Sequence, residues 1–272
     1  MSGKKFKYYG AIRKASLSAG RILMKYFRKG VRIRYKNARK QVDPVSIADE
    51  SAEREIIRVL GRAYPGYKVL CEESRSELDD PGGYCWIIDP LDGTVNFLFG
   101  IPIFSVSIGL AKDGKLMAGA VYNPATGDFY YAEKGRGAYR NGKRIRVSAR
   151  RDIGKSMLVT GFPYGGGRKY LDMLNTLYRF LTRMQAARRF GSAALDLANI
   201  AEGMTDVFWE STLHAWDVAA GGLLVAEAGG RVTNVYGSSD YVFVDNGILA
   251  TNGRLHGAAL KILKMRKKTG KK

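Results

Sequence analysis

The stretch Trp86-Ile87-Ile88-Asp89-Pro90-Leu91-Asp92-Gly93-Thr94 constrains this chain more than any other. Apolar Trp86, Ile87 and Ile88 predict a buried strand, and Pro90, which has no N–H to donate, is expected to stop it. Asp89 and Asp92 then fall at the strand end, where open α/β sheets place their chemistry. Gly93 lets the backbone approach a ligand closely, and Thr94 is expected to cap the helix that follows. A helix start with free N–H groups attracts phosphate. Two acids beside it would repel that anion unless a cation lay between, and hard oxygen ligands suit Mg²⁺. The same residues also fit a strand ending in a solvated Asp-Gly turn, so the pattern alone leaves both readings open.

Length and composition narrow the field. A chain of 272 residues, 46% of them hydrophobic, can bury a large core as one or two closely packed lobes. No apolar run is long enough to cross a bilayer, and Lys4, Lys5 and Lys7 lead into an amphipathic pattern rather than a signal-peptide core, so a soluble, cytoplasmic protein is expected. Cys71 and Cys85 are too few for a disulfide framework or a four-cysteine zinc site and are read as reduced thiols. With only His214 and His256 present, oxygen ligands are the better candidates for any metal. The net charge of +20 favours acidic partners such as phosphorylated metabolites, nucleic acid or an anionic surface. No base-stacking module interleaves the basic runs with aromatics, so those runs are read as solvated faces and a frayed tail, not a nucleic-acid site.

Periodicity supplies the elements. Ile12, Ala15, Ala19, Leu23, Tyr26 and Phe27 predict an amphipathic helix ended by Gly30, and the basic run Val31 to Lys40 predicts a loop or hairpin. A second helix is expected to start near Asp43-Pro44-Val45-Ser46 and to run to Tyr64-Pro65-Gly66. Asp49 lies near its start, as a helix-dipole acid or a functional one. Tyr67 to Cys71 reads as a strand whose end carries Glu72-Glu73, a second strand end bearing acids. Hairpins follow around Asp113-Gly114 and Asn141-Gly142, with another turn at Asn123 to Gly127. Helices are expected over Leu171 to Leu181, Ser192 to Ala201, Trp216 to Ala228 and Leu255 to Met265, with strands at Asp206 to Trp209, Val232, Tyr241 to Val244 and Ile248 to Thr251. The Ala/Gly-rich helix after Trp216 implies close packing, and Asp217 at its start could bring a further carboxylate to the metal site. A division into lobes 1–150 and 151–272 is expected, the first carrying the metal motifs and the second completing the site.

Three stretches in order, Cys71-Glu72-Glu73-Ser74, Trp86 to Thr94 and Trp216-Asp217-Val218-Ala219-Ala220-Gly221, resemble the G-E-E-S, W-I-[IV]-D-P-[IL]-D-G-T and W-D-x-A-[AG]-G motifs of the inositol monophosphatase family. Asp43 to Asp49 is similar to its D-x-V-T-x-x-D pattern, with Ser46 in place of Thr, and Arg188 to Ala194 is similar to its R-x-x-G-[ST]-A-A segment. Cys71 replaces the first glycine of G-E-E-S. The resemblance implies an α+β, layered αβαβα sandwich and a Mg²⁺-dependent, lithium-sensitive phosphomonoesterase acting on a small phosphorylated polyol or sugar, in many relatives as a homodimer. By the same resemblance Glu72, Asp89, Asp92, Asp217 and the Leu91 carbonyl would hold two or three Mg²⁺. Asp49, Glu72 and Thr94 would be catalytic. Asp92, Gly93, Thr94, Arg188, Ala193 and Glu210 would contact substrate. The family lysine that steadies a catalytic water has three competitors here, Lys36, Arg39 and Lys40. Inositol monophosphate is the expected substrate. Fructose-1,6-bisphosphate, alone or shared, is the alternative; a nucleotide 3′-phosphatase or a non-catalytic, basic nucleic-acid-binding protein is more distant.

Overall fold

Helical and alternating patterns of apolar residues sort this chain into five layers. The computed structural model describes residues 6–27, 34–35, 44–45, 47–74, 82–162, 167–244 and 247–265. Helix α1 (Tyr9–Tyr26) buries Ile12, Ala15, Ala19 and Leu23, the one stripe that its spacing brings together. The short strands β1 (Arg34–Tyr35) and β2 (Pro44–Val45) pair antiparallel ahead of α2 (Ile47–Ala63), which buries Ala48, Ala52, Ile56 and Leu60. Pro44 and Val45 are therefore strand and not the first helical turn expected from the proline; an edge strand needs no N–H from Pro44. Gly30, Lys36, Arg39, Lys40 and Ser46 lie outside the described residues.

One sheet follows in the order β3 (Lys68–Cys71), β4 (Tyr84–Asp92), β5 (Ser105–Lys112), β6 (Lys115–Asn123), β7 (Asp128–Glu133), β8 (Ala138–Arg140) and β9 (Lys143–Arg144). The five-residue helix α3 (Thr94–Leu98) separates β4 from β5. The expected hairpins around Asp113-Gly114 and Asn141-Gly142 join β5 to β6 and β8 to β9, with both non-glycine residues at positive φ.

The second sheet has the order β11 (Ala186–Arg188), β10 (Met157–Thr160), β12 (Val207–Glu210), β14 (Ile248–Thr251) and β13 (Arg231–Asn234), parallel across β11, β10 and β12. Its helices are α4 (Arg168–Leu181), α5 (Ala193–Glu202), α6 (Ala215–Glu227) and α7 (His256–Lys264). Tyr241 to Val244 does not form the expected strand. The Tyr241 ring lies over Gly222 of α6 instead, where a Cβ would come within 2.7 Å of it, so packing on a helix wins over ladder formation.

The layers follow from what each face buries. Helices α1 and α2 cover one face of the seven-stranded sheet around Ile88, Phe104, Val106 and Ile108. Helices α5 and α6 lie between the two sheets, against Val121 and Ala132 on one side and Val159, Phe208 and Ala250 on the other. Helices α4 and α7 close the outer face of the smaller sheet over Leu158, Trp209 and Leu249. The result is the layered αβαβα sandwich. Close approach of α6 to the first sheet depends on Gly109 and Gly119, where a Cβ would lie 2.9 Å from Ala219 Cβ and 2.9 Å from Ala220 Cα. That contact carries Asp217 toward the end of β4.

Candidate active site

Strand β4 is buried from Cys85 to Asp92, and Pro90 does not stop it. The ladder with β5 pairs Asp89 with Ser107 and Asp92 with Ser105, so three residues on β4 advance against two on β5. Pro90 sits in that irregularity, where its missing N–H breaks no ladder bond, and the extra residue re-aims the two carboxylates. Leu91 N–H donates to Asp89 Oδ1 at 2.9 Å, which fixes the first of them.

Asp92 is held by the start of α5. Its Oδ1 accepts from Ala193 N–H at 3.1 Å; its Oδ2 accepts from Ala194 N–H at 2.9 Å, from the Ser105 hydroxyl at 3.3 Å and from the Ser192 hydroxyl. Ser192 is also the N-cap of α5, accepting from Leu195 N–H. Burial raises the Asp92 pKa, and these hydrogen bonds oppose the rise.

The remaining acids arrive from other elements. Glu72 follows β3, its N–H bonded to Ile88 O at 3.3 Å, and so stands beside the end of β4. Asp217, in the first turn of α6, accepts from His214 N–H at 2.6 Å, and Ser107 donates to Trp216 O at 3.2 Å, tying that turn to β5. Asp49 is buried in the first turn of α2. Carboxylate oxygens of Asp89, Asp92 and Asp217 all lie within 4.8 Å of one another. Burial first, then the fields of Glu72, Asp92, Asp217 and Asp49, push Asp89 well above the ordinary carboxylate range. These four charges are all acids. A hard divalent cation among these oxygens would reverse that balance, so the donor set fits a metal.

Gly93 leaves the strand at φ +94°, and a Cβ there would meet Ile103 O at 3.0 Å and Gly191 O at 3.1 Å, so both conformation and crowding require glycine. Gly93 is the N-cap of α3, and Thr94 is its first residue, not its cap. The exit from β4 needs the left-handed region, which a threonine would enter only with strain. The Thr94 hydroxyl donates to Leu91 O at 3.0 Å, which places it beside the carboxylates.

On the far side of Asp92 lie Ala193 and Glu210. Burial, then repulsion by Asp92, pushes Glu210 up to about 8, while Arg189 and a hydrogen bond from Gly161 draw it back. Arg188 ends the edge strand β11, exposed, with Nη1 donating to Ala187 O at 2.9 Å. The cation that acts on Glu210 is its neighbour Arg189. Asp196, buried in the first turn of α5, is a further acid that sequence reasoning missed. Its Oδ1 has no hydrogen-bond partner among the described residues, and burial with the fields of Asp92 and Glu210 raises its pKa well above normal. In sequence it is indistinguishable from a helix-dipole aspartate; Arg189 lies within the quoted R-x-x-G-[ST]-A-A segment but at one of its open positions.

A five-layer sandwich that gathers acids from four elements around a glycine turn is the build of a metal-dependent phosphatase. The chain belongs to the inositol monophosphatase family, whose sequence profile matches residues 7–268. It is similar to the inositol-1-monophosphatase of Mesorhizobium japonicum, 41% identical over 251 residues that cover 92% of this chain and 93% of that one. It is also similar to the Nus factor SuhB of Pseudomonas aeruginosa, 39% identical over 91% of this chain and 92% of the relative. Among solved structures, the extragenic suppressor protein suhB from Bartonella henselae superposes with a TM-score of 0.85 at 40% identity, covering 94% of this chain and 98% of that one. The protein is a hydrolase of the phosphatase class.

Proposed function

We propose that this protein is a Mg²⁺-dependent phosphomonoesterase that hydrolyses inositol 1-phosphate and tolerates related sugar phosphates. The observation that carries the reading is the convergence of Asp89, Asp92 and Asp217 oxygens within 4.8 Å beside the Gly93 turn. Glu72, Asp89, Asp92, Asp217 and the Leu91 carbonyl would hold two or three Mg²⁺, which would supply positive charge to the ester phosphate and to the attacking water. The Gly93 and Thr94 N–H groups, at the start of α3, would bind phosphate oxygens. The Thr94 hydroxyl, donating to Leu91 O, keeps its lone pairs for a proton of the water; turning that donor toward Asp49 would pass the proton on. Glu72, beside β4, completes the catalytic set. Glu210 would accept hydrogen bonds from polyol hydroxyls, next to Ala193 N–H and Asp92.

Relatives of similar identity carry an enzyme's name and a Nus factor's name, so the choice rests on the site. Buried acids that repel one another are destabilising unless a ligand uses them, which favours the enzyme over a non-catalytic, basic nucleic-acid-binding protein. No helix among the described residues is long and apolar enough to cross a membrane, and Cys71 and Cys85 are buried and not disulfide-bonded, which supports a cytoplasmic placement. A homodimer is supported by α4, whose exposed Leu171, Leu174, Tyr178 and Leu181 form a stripe beside its buried Met173 and Phe180. Two copies of such a stripe could pair about a two-fold axis, as an isologous interface does.

The deciding experiment is phosphate release from a panel of phosphate esters with Mg²⁺, with and without chelator. Inositol 1-phosphate should be hydrolysed and chelation should abolish turnover. Turnover that survives chelation, or none with any ester, would sink the assignment.

A further inference from the structure

The leaving-alcohol side of the site carries a cation that the phosphatase chemistry does not use. Asp92, Asp196 and Glu210 stand together there, all nearly buried, and one side chain of opposite charge acts on both Asp196 and Glu210: Arg189. Its guanidinium lies over the Phe162 ring, 5.1 Å from the centroid. Phe162 follows Gly161, which packs directly on Glu210; a Cβ at Gly161 would fall 2.2 Å from Glu210 Oε2. Arg189 therefore stacks on the residue next to the one that packs on Glu210, the group proposed to bind the alcohol.

Its main chain is pinned as well. Asn96 donates from Nδ2 to Phe190 O at 2.7 Å, and Ser192, two residues on, caps α5 and donates to Asp92. The guanidinium stays exposed, and among the described residues it makes no hydrogen bond or ion pair, so its fork of N–H donors is uncommitted. A ring beneath a guanidinium holds its plane while leaving its edge to a ligand. An anion at that edge would displace no existing bond.

We propose that Arg189 is a specificity-determining residue that binds a second phosphate carried by the leaving alcohol, so that sugar bisphosphates are substrates alongside neutral polyol monophosphates. The inference rests on the phosphomonoesterase reading of the site. It places at Arg189, and not at Arg188, the cationic contact to substrate; Arg188, for which the resemblance implies a substrate contact, has its Nη1 committed to Ala187 O. Without Arg189, a distal phosphate would stand near Asp196 and Glu210 with no opposite charge from the group that now acts on both.

The test compares kcat/KM for fructose-1,6-bisphosphate and inositol 1-phosphate in the wild type, Arg189→Gln, Arg189→Lys, Arg188→Gln and Arg183→Gln. The last removes an equal charge just beyond the end of α4. Arg189→Gln should lower kcat/KM for the bisphosphate by about tenfold or more, mainly through KM, while the monophosphate changes by less than about twofold. Arg189→Lys should restore part of the loss. Equal losses on both substrates, an unchanged ratio, or a ratio moved as much by Arg188→Gln or Arg183→Gln would overturn the proposal. Calorimetric binding of fructose 6-phosphate without divalent cation needs no turnover: binding weakened in Arg189→Gln supports the proposal, and equal affinity overturns it. Absence of phosphate release from every ester would instead refute the phosphatase reading, and the titration would still decide the role of Arg189.

Discussion

Asp92 joins two tasks that oppose each other: it caps α5 through Ala193, Ala194 and Ser192, and it belongs to the cluster that would hold metal. Asp92→Asn keeps an oxygen for one of those bonds but loses the charge. The rate should fall by about a hundredfold or more, while stability falls by only about 1–2 kcal/mol; denaturant melts beside steady-state assays separate the two. Glu210 makes a different prediction. Its native pKa of about 8 stands above the ordinary 4.5, so between those values the folded protein holds a proton that the unfolded chain releases. Stability is therefore lost as pH rises through that window. His256, lowered to about 4 by burial, acts with the opposite sign below 6.5, so pH 6.5 to 8 avoids it, and the raised acids Asp89 and Asp196 act with the same sign as Glu210. In chelator, the wild-type melting temperature should fall across that interval, and Glu210→Gln should reduce the slope; an equal slope in the variant would show that Glu210 does not titrate there.

At the scale of elements, the site depends on how close α6 comes to the first sheet. Gly119 faces Ala220 Cα and Ala220 O, both backbone atoms of a packed helix, so neither can swing aside. Gly119→Ala should lower stability by about 1–3 kcal/mol and also weaken metal binding, because α6 would carry Asp217 away from Asp89. Melts and metal titration read the two effects; loss of stability with unchanged metal affinity would show that Asp217 is positioned by its own turn alone. Periodicity found α1, α4, α5, α6 and α7 because spacing is a local pattern, although Leu171, Leu174, Tyr178 and Leu181, which signal α4, lie exposed and not in the core. It misjudged Pro44, Pro90 and Tyr241, where the answer depends on an edge strand, a ladder irregularity and a helix brought from elsewhere in the chain.

For the whole molecule, the exposed stripe on α4 departs from an inside-outside pattern and is the basis of the dimer proposal. Leu174→Glu with Tyr178→Glu should convert a dimer to monomers in sedimentation without unfolding, since both side chains point away from the core residues Met173 and Phe180. A wild-type monomer, or a dimer indifferent to the change, would remove α4 from the interface.

The strand Trp86 to Ile88, the acids at its end, the glycine turn and the acid-bearing starts of two helices were legible in the chain because each rests on spacing within a few residues. The family, the layered fold and the residue types for the metal followed from those motifs in order. The resemblance already implied that Asp89, Asp92 and Asp217 meet, and their oxygens do; tertiary structure alone decided that Asp196 is buried within the field of Asp92, and that Arg189 rather than Arg188 acts on Glu210. The physical reason is that burial and electrostatic coupling depend on which elements pack together, and neither is encoded in the spacing of any one segment.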